Sequence, residues 1–154
     1  MKKVLALGLA IVSVLVSCKK EKETDVTPEK IDIEETVSQE CYSGNIKKDT
    51  ILMQLMVKGN QVTSGKLSYN FYEKDKNEGT LIGVLKGDTL VADYTFMSEG
   101  ISSVRQVVFL RKGNIYVEGY GDVVEVASGK VIFKDIKQLK FDGKSVLSKV
   151  DCKS

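Results

Sequence analysis

The sequence predicts an all-β fold, an antiparallel meander that closes into a small barrel or sandwich of about eight strands. Three observations predict it. Apolar and polar residues alternate with period two in several segments. Glycine-containing turn signals recur about every 8 to 14 residues between those segments. The stretch that carries the pattern, from Cys41 to the C-terminus, is about 114 residues long, enough for one domain with a modest core.

A first strand is expected near 41–47 and a second at 50–57, where Ile51, Met53, Leu55 and Val57 form an apolar row. Lys58-Gly59-Asn60 turns the chain into a third strand at 61–72. The polar run 73–79 reads as a longer loop, followed by a strand at 80–86 and the turn Gly87-Asp88. In the next strand, 89–97, Leu90, Ala92, Tyr94 and Phe96 share one face, and Val91, Asp93 and Thr95 the other. Ser98-Glu99-Gly100 leads to 103–111. There Val107 and Phe109 face opposite to Val108 and Leu110, so this strand is expected to be covered on both sides. Strands at 115–119, near 123–127 and at 145–151 complete the meander.

Residues 131–141 read differently. Ile132, Phe133, Ile136 and Leu139 have helical spacing, with Lys130, Lys134, Lys137 and Lys140 on the other side. Two readings stay open: a short helix capping one end, or a strand followed by a loop. The lysines read as a solvated face.

The first 17 residues are of another kind. Met1-Lys2-Lys3 precedes an apolar stretch of about 13 residues, Val4 to Val16, the charge and length of a secretory signal. It is shorter than the roughly 20 residues of a lasting transmembrane helix. Residues 18–40 follow as a tether with 8 acids, 4 lysines and the single proline, Pro28. Such a composition buries too little surface to offset chain entropy, so disorder is expected, with a root-mean-square span of roughly 25 Å. Residues 41–154 carry 17 basic and 13 acidic side chains, a balance that reads as an aid to solubility. No nucleic-acid partner is expected.

Leu15-Val16-Ser17-Cys18 resembles the lipobox of bacterial lipoproteins, with leucine three before the cysteine and a small residue just before it. The resemblance implies cleavage before Cys18, thioether diacylation of its sulfur and, usually, a third acyl chain on the new amine. The membrane would then be a partner through the N-terminal lipid. Lys19 stands where an aspartate would signal inner-membrane retention, so the outer membrane is the expected home, on a face left open. The stretch Asp93 to Leu110 resembles a segment of small Bacteroidota-type lipoproteins. That likeness implies no activity and names no site.

With lipid on Cys18, Cys41 and Cys152 remain as an even pair in an exported, oxidising setting, and a disulfide between them is expected. Two free thiols are the alternative. A metal site there is a poor prospect, since the chain has no histidine.

The missing histidine also removes the commonest general base, and with it Ser-His-Asp and Cys-His nucleophile systems. Gly79, Gly83 and Gly87 read as bends and turns of a barrel rather than as a phosphate cradle, because no helix follows them. No cofactor is expected. Paired carboxylates among Asp93, Glu99, Glu118, Asp122 and Glu125 are the remaining catalytic option, and the expectation is a non-enzyme. For a ligand pocket, Tyr94, Arg105 and Glu99 are the candidate polar groups. The plainer account makes Tyr94 a core residue and Arg105 a rim ion-pair partner. The leading functional expectation is a binding module for a small apolar ligand, in the style of lipocalin-like and avidin-like barrels. The alternative is an envelope interaction or inhibitor domain with a filled core. An enclosed apolar cavity of several hundred Å³ would favour the first, and a packed interior with exposed apolar surface the second.

Overall fold

Period-two patterning leaves each strand with one face that must leave water, and a closed ring satisfies eight such strands at once without a free edge. The structure, a computed structural model, describes residues 36–73, 76–98 and 100–152. The expected leader and most of the expected tether lie outside the described residues. The strands are β1 (Val37–Ile46), β2 (Asp49–Lys58), β3 (Gln61–Asn70), β4 (Asn77–Lys86), β5 (Thr89–Ser98), β6 (Ile101–Lys112), β7 (Ile115–Glu118), β8 (Val123–Glu125), β9 (Val131–Phe133) and β10 (Val146–Val150).

Strands β1 to β7 run as a meander, and β10 fits between β7 and β1. The β5–β6 pairing completes an eight-stranded antiparallel barrel, so of the two architectures left open by the sequence the barrel is the one adopted. β8 and β9 form an extra hairpin whose β9 adds in parallel to β6, at Arg105 and Val131.

The register places one row of side chains inside. Tyr42 lies opposite Met53, and Met53 opposite Leu67. Leu81 faces Tyr94, Ala92 faces Val107, Leu90 faces Phe109, and Tyr116 faces Leu147. All of these are buried, and Leu67, Leu81, Leu90, Tyr94, Phe109, Tyr116 and Leu147 are 0 % exposed. The interior is therefore a packed core. Truncating any of its leucines to alanine would cost about 2 to 5 kcal/mol. The expected two-sided covering of β6 is present: Val107 and Phe109 point inward, and outward-facing Val108 is equally buried.

The outer covering comes from residues 119–145. A Cβ built on Gly119 or Gly121 would fall 3.2 Å and 2.7 Å from Leu139, so Leu139 lies directly on this glycine pair. Here the helical spacing of 131–141 resolves as β9 and a single 3-10 turn, Ile136–Gln138, capped by the Asp135 side chain on the Lys137 amide. Too few residues are free of β9 and of the Leu139 contact to offset helix nucleation. Lys134, Lys137 and Lys140 are exposed, and Lys130 binds Asp93 at 2.6 Å.

β1 begins at Val37 rather than near 41, and β4 at Asn77 rather than 80. Residues 37–40, polar except for Val37, extend because β2 supplies partners for them, from Val37 opposite Lys58 to Glu40 opposite Leu55. Gly79 and Gly83 lie within β4, where β5 presses close, and Gly87 occupies the β4–β5 turn at φ +61°.

Candidate functional site

In an up-and-down barrel successive turns alternate between the two ends. The β1–β2, β3–β4 and β5–β6 connections and the exit of β7 therefore share one end. At this end the interior changes character. Arg105 lies on the inner face of β6, directly opposite Tyr94 of β5. Its guanidinium carbon lies 5.3 Å from the centre of the Tyr69 ring, 5.4 Å from that of Tyr94 and 5.5 Å from that of Phe96. Tyr94 and Phe96 stack with centroids 4.9 Å apart, and the Tyr69 ring meets Tyr94 edge-on at 6.0 Å. Three negative π faces thus surround one cation, an arrangement worth about 0.5 to 2 kcal/mol per favourable contact.

Glu118 is the carboxylate of this cluster, and it is 7 % exposed. Tyr69 donates to its Oε1 at 2.7 Å and Tyr120 to its Oε2 at 2.9 Å. The Tyr120 hydroxyl also meets Ser145 Oγ. Burial, together with the Glu118 charge, pushes the Tyr69 hydroxyl well above the ordinary tyrosine range, against the opposing pull of Arg105. Burial likewise raises Tyr94 and Tyr120 to about 12. At neutral pH these phenols are proton donors.

Two of the sequence candidates, Tyr94 and Arg105, are thus brought together as cross-strand neighbours. Tyr94 is a core residue, as the plainer account has it. Arg105 departs from that account: among the described residues it has no carboxylate within ion-pair distance, and aromatic faces take that place. Glu99 and Cys18 lie outside the described residues. Cys41 and Cys152 are bonded, with Cα atoms 5.2 Å apart, and Cys41 sits opposite Val150 in the β1–β10 pairing.

The chain matches no protein-family model, no curated protein and no solved structure. The site must therefore be read from its own chemistry.

The candidate carboxylates among the described residues, Asp93, Glu118, Asp122 and Glu125, do not converge. Glu118 points inward and is held by two tyrosines. Asp93 points outward and binds Lys130. Asp122 and Glu125 are exposed on the 119–145 segment. Among the described residues, packed side chains fill the interior where a lipocalin-like module would have an enclosed apolar cavity. A recess of about 480 Å³ does exist, lined by Ser43, Leu52, Gln54, Lys66, Ser68 and Val150 among others, but it lies on the outer wall.

Sequence reasoning missed Tyr69, Phe96 and Glu118 as members of the cluster. Parity offered part of the signal, because Arg105 shares a face with Val107 and Phe109, and Phe96 shares one with Tyr94. Bringing in Tyr69 and Glu118 required the barrel to be closed and its register known.

Proposed function

We propose that this chain is a lipid-anchored envelope lipoprotein whose barrel is a non-enzymatic binding module, engaging its ligand at one end of a filled barrel. The single observation that carries the binding reading is the composition of that end. Half-buried Arg105 lies among aromatic rings, and exposed apolar residues stand at the same end: Phe71 (41 %) and Tyr72 (49 %) on the β3–β4 connection and Ile101 (69 %) at the start of β6. The Phe71 ring stacks on Tyr69 at 6.1 Å, so the rim is continuous with the cluster. Apolar surface around a few convergent polar groups is the usual make-up of a ligand site. The packed interior supports contact at the mouth over enclosure of an apolar molecule.

The anchor rests on the sequence Leu15-Val16-Ser17-Cys18 and on cysteine arithmetic. The disulfide takes two of the three cysteines and leaves Cys18 for acylation. Two or three acyl chains give lasting attachment, at about 0.8 kcal/mol per buried methylene. With Lys19 after the cysteine, the outer membrane is the proposed location.

The second reading, a partner protein docked on the same end, is the one that a packed interior with exposed apolar surface favours, and Ile101 and Met97 (59 %) project from the β5–β6 hairpin. Native mass spectrometry of the full-length protein purified from its own cells tests both. A small molecule that co-purifies and is lost in Phe71→Ser and Ile101→Lys supports the binding module. A co-purifying protein lost in the same variants supports the second reading. A bound species that both variants retain contradicts contact at this end.

A further inference from the structure

β6 carries two arginines on its inner face, Arg105 and Arg111, one near each end of the barrel. Arg111 lies opposite Tyr116 and has a carboxylate, Asp88, at 3.6 Å. The same end holds Glu40, which accepts from Tyr42 at 2.8 Å and pairs with Lys149 at 3.4 Å. There Arg111 and Glu40 each have a partner of opposite charge. The Arg105 end has no such pairing for its cation among the described residues. The nearby carboxylate, Glu118, is already engaged by two hydroxyl donors.

Arg105 also has an orphaned donor. Its Nε is sealed from solvent and has no hydrogen-bond partner, while the residue as a whole is only half-buried, so an incoming anion would meet the guanidinium through its Nη groups. A buried, unpaired donor is destabilising, and such groups are rare in a folded protein. A guanidinium packed among three aromatic rings has lost rotational freedom in advance. It presents a planar fork of N–H groups, the geometry that matches a carboxylate in bidentate fashion. Tyr94 adds a neighbouring hydroxyl whose own acceptor, Asn77 Oδ1, is at 3.5 Å, the long limit of a hydrogen bond.

We infer that Arg105 is the anion-recognition residue of the barrel mouth and takes the carboxylate of an amphiphilic ligand, whose apolar part lies on Phe71 and Ile101. This assignment rests on the mouth-binding reading and adds the ligand's chemical class. The carboxylate has two natural sources, an acyl-chain acid and the C-terminus of a peptide, and both present the same planar anion.

The test is the Nε–Hε resonance of Arg105 in the ¹⁵N-labelled full chain, purified in neutral detergent and titrated in turn with octanoate, N-acetyl-alanine and inorganic phosphate. The expected result is a saturable shift of this resonance with a carboxylate probe. Tighter binding of octanoate identifies an acyl-chain acid, and tighter binding of N-acetyl-alanine a peptide terminus. Arg105→Lys keeps the charge and loses the fork, and is expected to weaken the carboxylate about tenfold or more. Saturation by phosphate alone, equal affinity in Arg105→Lys, or a silent Nε resonance with every probe would overturn the assignment. The wild-type resonance decides the matter even if the variant fails to fold. A silent Arg105 in a protein that still loses its co-purifying molecule on Ile101→Lys would sink this inference and leave the mouth-binding reading intact.

Discussion

Tyr69 donates its hydroxyl hydrogen to Glu118 Oε1 at 2.7 Å, a bond that crosses the barrel interior between β3 and β7, which are not neighbours in the sheet. Glu118 is buried, so each donor on it offsets part of the cost of desolvating a carboxylate. Tyr69→Phe leaves Oε1 without that donor while Tyr120 still holds Oε2. The expected loss is about 1 to 3 kcal/mol of unfolding free energy, read from urea denaturation. A loss under about 0.5 kcal/mol would mean that water replaces the phenol freely and that the crossing bond is not made.

Alkaline pH acts on the same cluster. In the folded chain Tyr94 and Tyr120 are raised from 10.0 to about 12, chiefly by burial. Tyr42, Tyr69 and Tyr116 are raised as well, burial again leading. A raised tyrosine favours the protonated form in the fold. Its contribution to stability is full below pH 10 and is lost as pH climbs toward and through 12. Phenolate absorbance near 295 nm should therefore rise late, in step with the loss of near-ultraviolet circular dichroism. Ionisation of these tyrosines near pH 10 with the fold intact would contradict the packed interior.

The Cys41–Cys152 bridge closes a loop with a sequence separation of 111 residues. Chain entropy gives such a loop about 4 to 5 kcal/mol, less any native strain. Reduction, or the double change Cys41→Ser and Cys152→Ser, should lower the urea midpoint by an amount equivalent to about 2 to 5 kcal/mol. The barrel should still form, since β1 and β10 also pair through Tyr42 with Lys149 and Ser43 with Ser148. A midpoint indifferent to reductant would show that the bridge is absent from the purified protein.

Two glycines four positions apart separate crowding from backbone conformation. A Cβ on Gly83 would fall 2.6 Å from that of Ala92 and press on the Val91 carbonyl. Gly83→Ala should force β4 and β5 apart, at about 2 kcal/mol or more. Gly87 has open space around it and φ +61°. Gly87→Ala should cost about 1 kcal/mol, from the left-handed conformation alone. Equal effects of the two changes in thermal unfolding would contradict the close β4–β5 contact.

Much of the barrel was legible because period two is a local property. The rows Ile51-Met53-Leu55-Val57 and Leu90-Ala92-Tyr94-Phe96 each reveal an inner face without reference to any partner strand. The turns at Gly59, Gly87 and Gly113 announce themselves in the same way. Three features were less legible, each for a non-local reason. Val37–Glu40 become strand because β2 pairs with them, not because of their own composition. The 131–141 spacing suits a helix, but Leu139 is spent on Gly119 and Gly121. At the candidate site, Tyr94 and Arg105 were readable from one hairpin, whereas Tyr69 and Glu118 join them only through closure of the ring.

The proposed anchor is lipid on Cys18, which would hold this barrel at a membrane. Intact-mass spectrometry of the full-length gene product, extracted from the membrane fraction of expressing cells, tests it most directly. The expected product is a chain that starts at residue 18, heavier than its polypeptide by two or three acyl groups and lighter by the two hydrogens of one disulfide. A soluble chain that begins at Met1 and carries no acyl mass would contradict it.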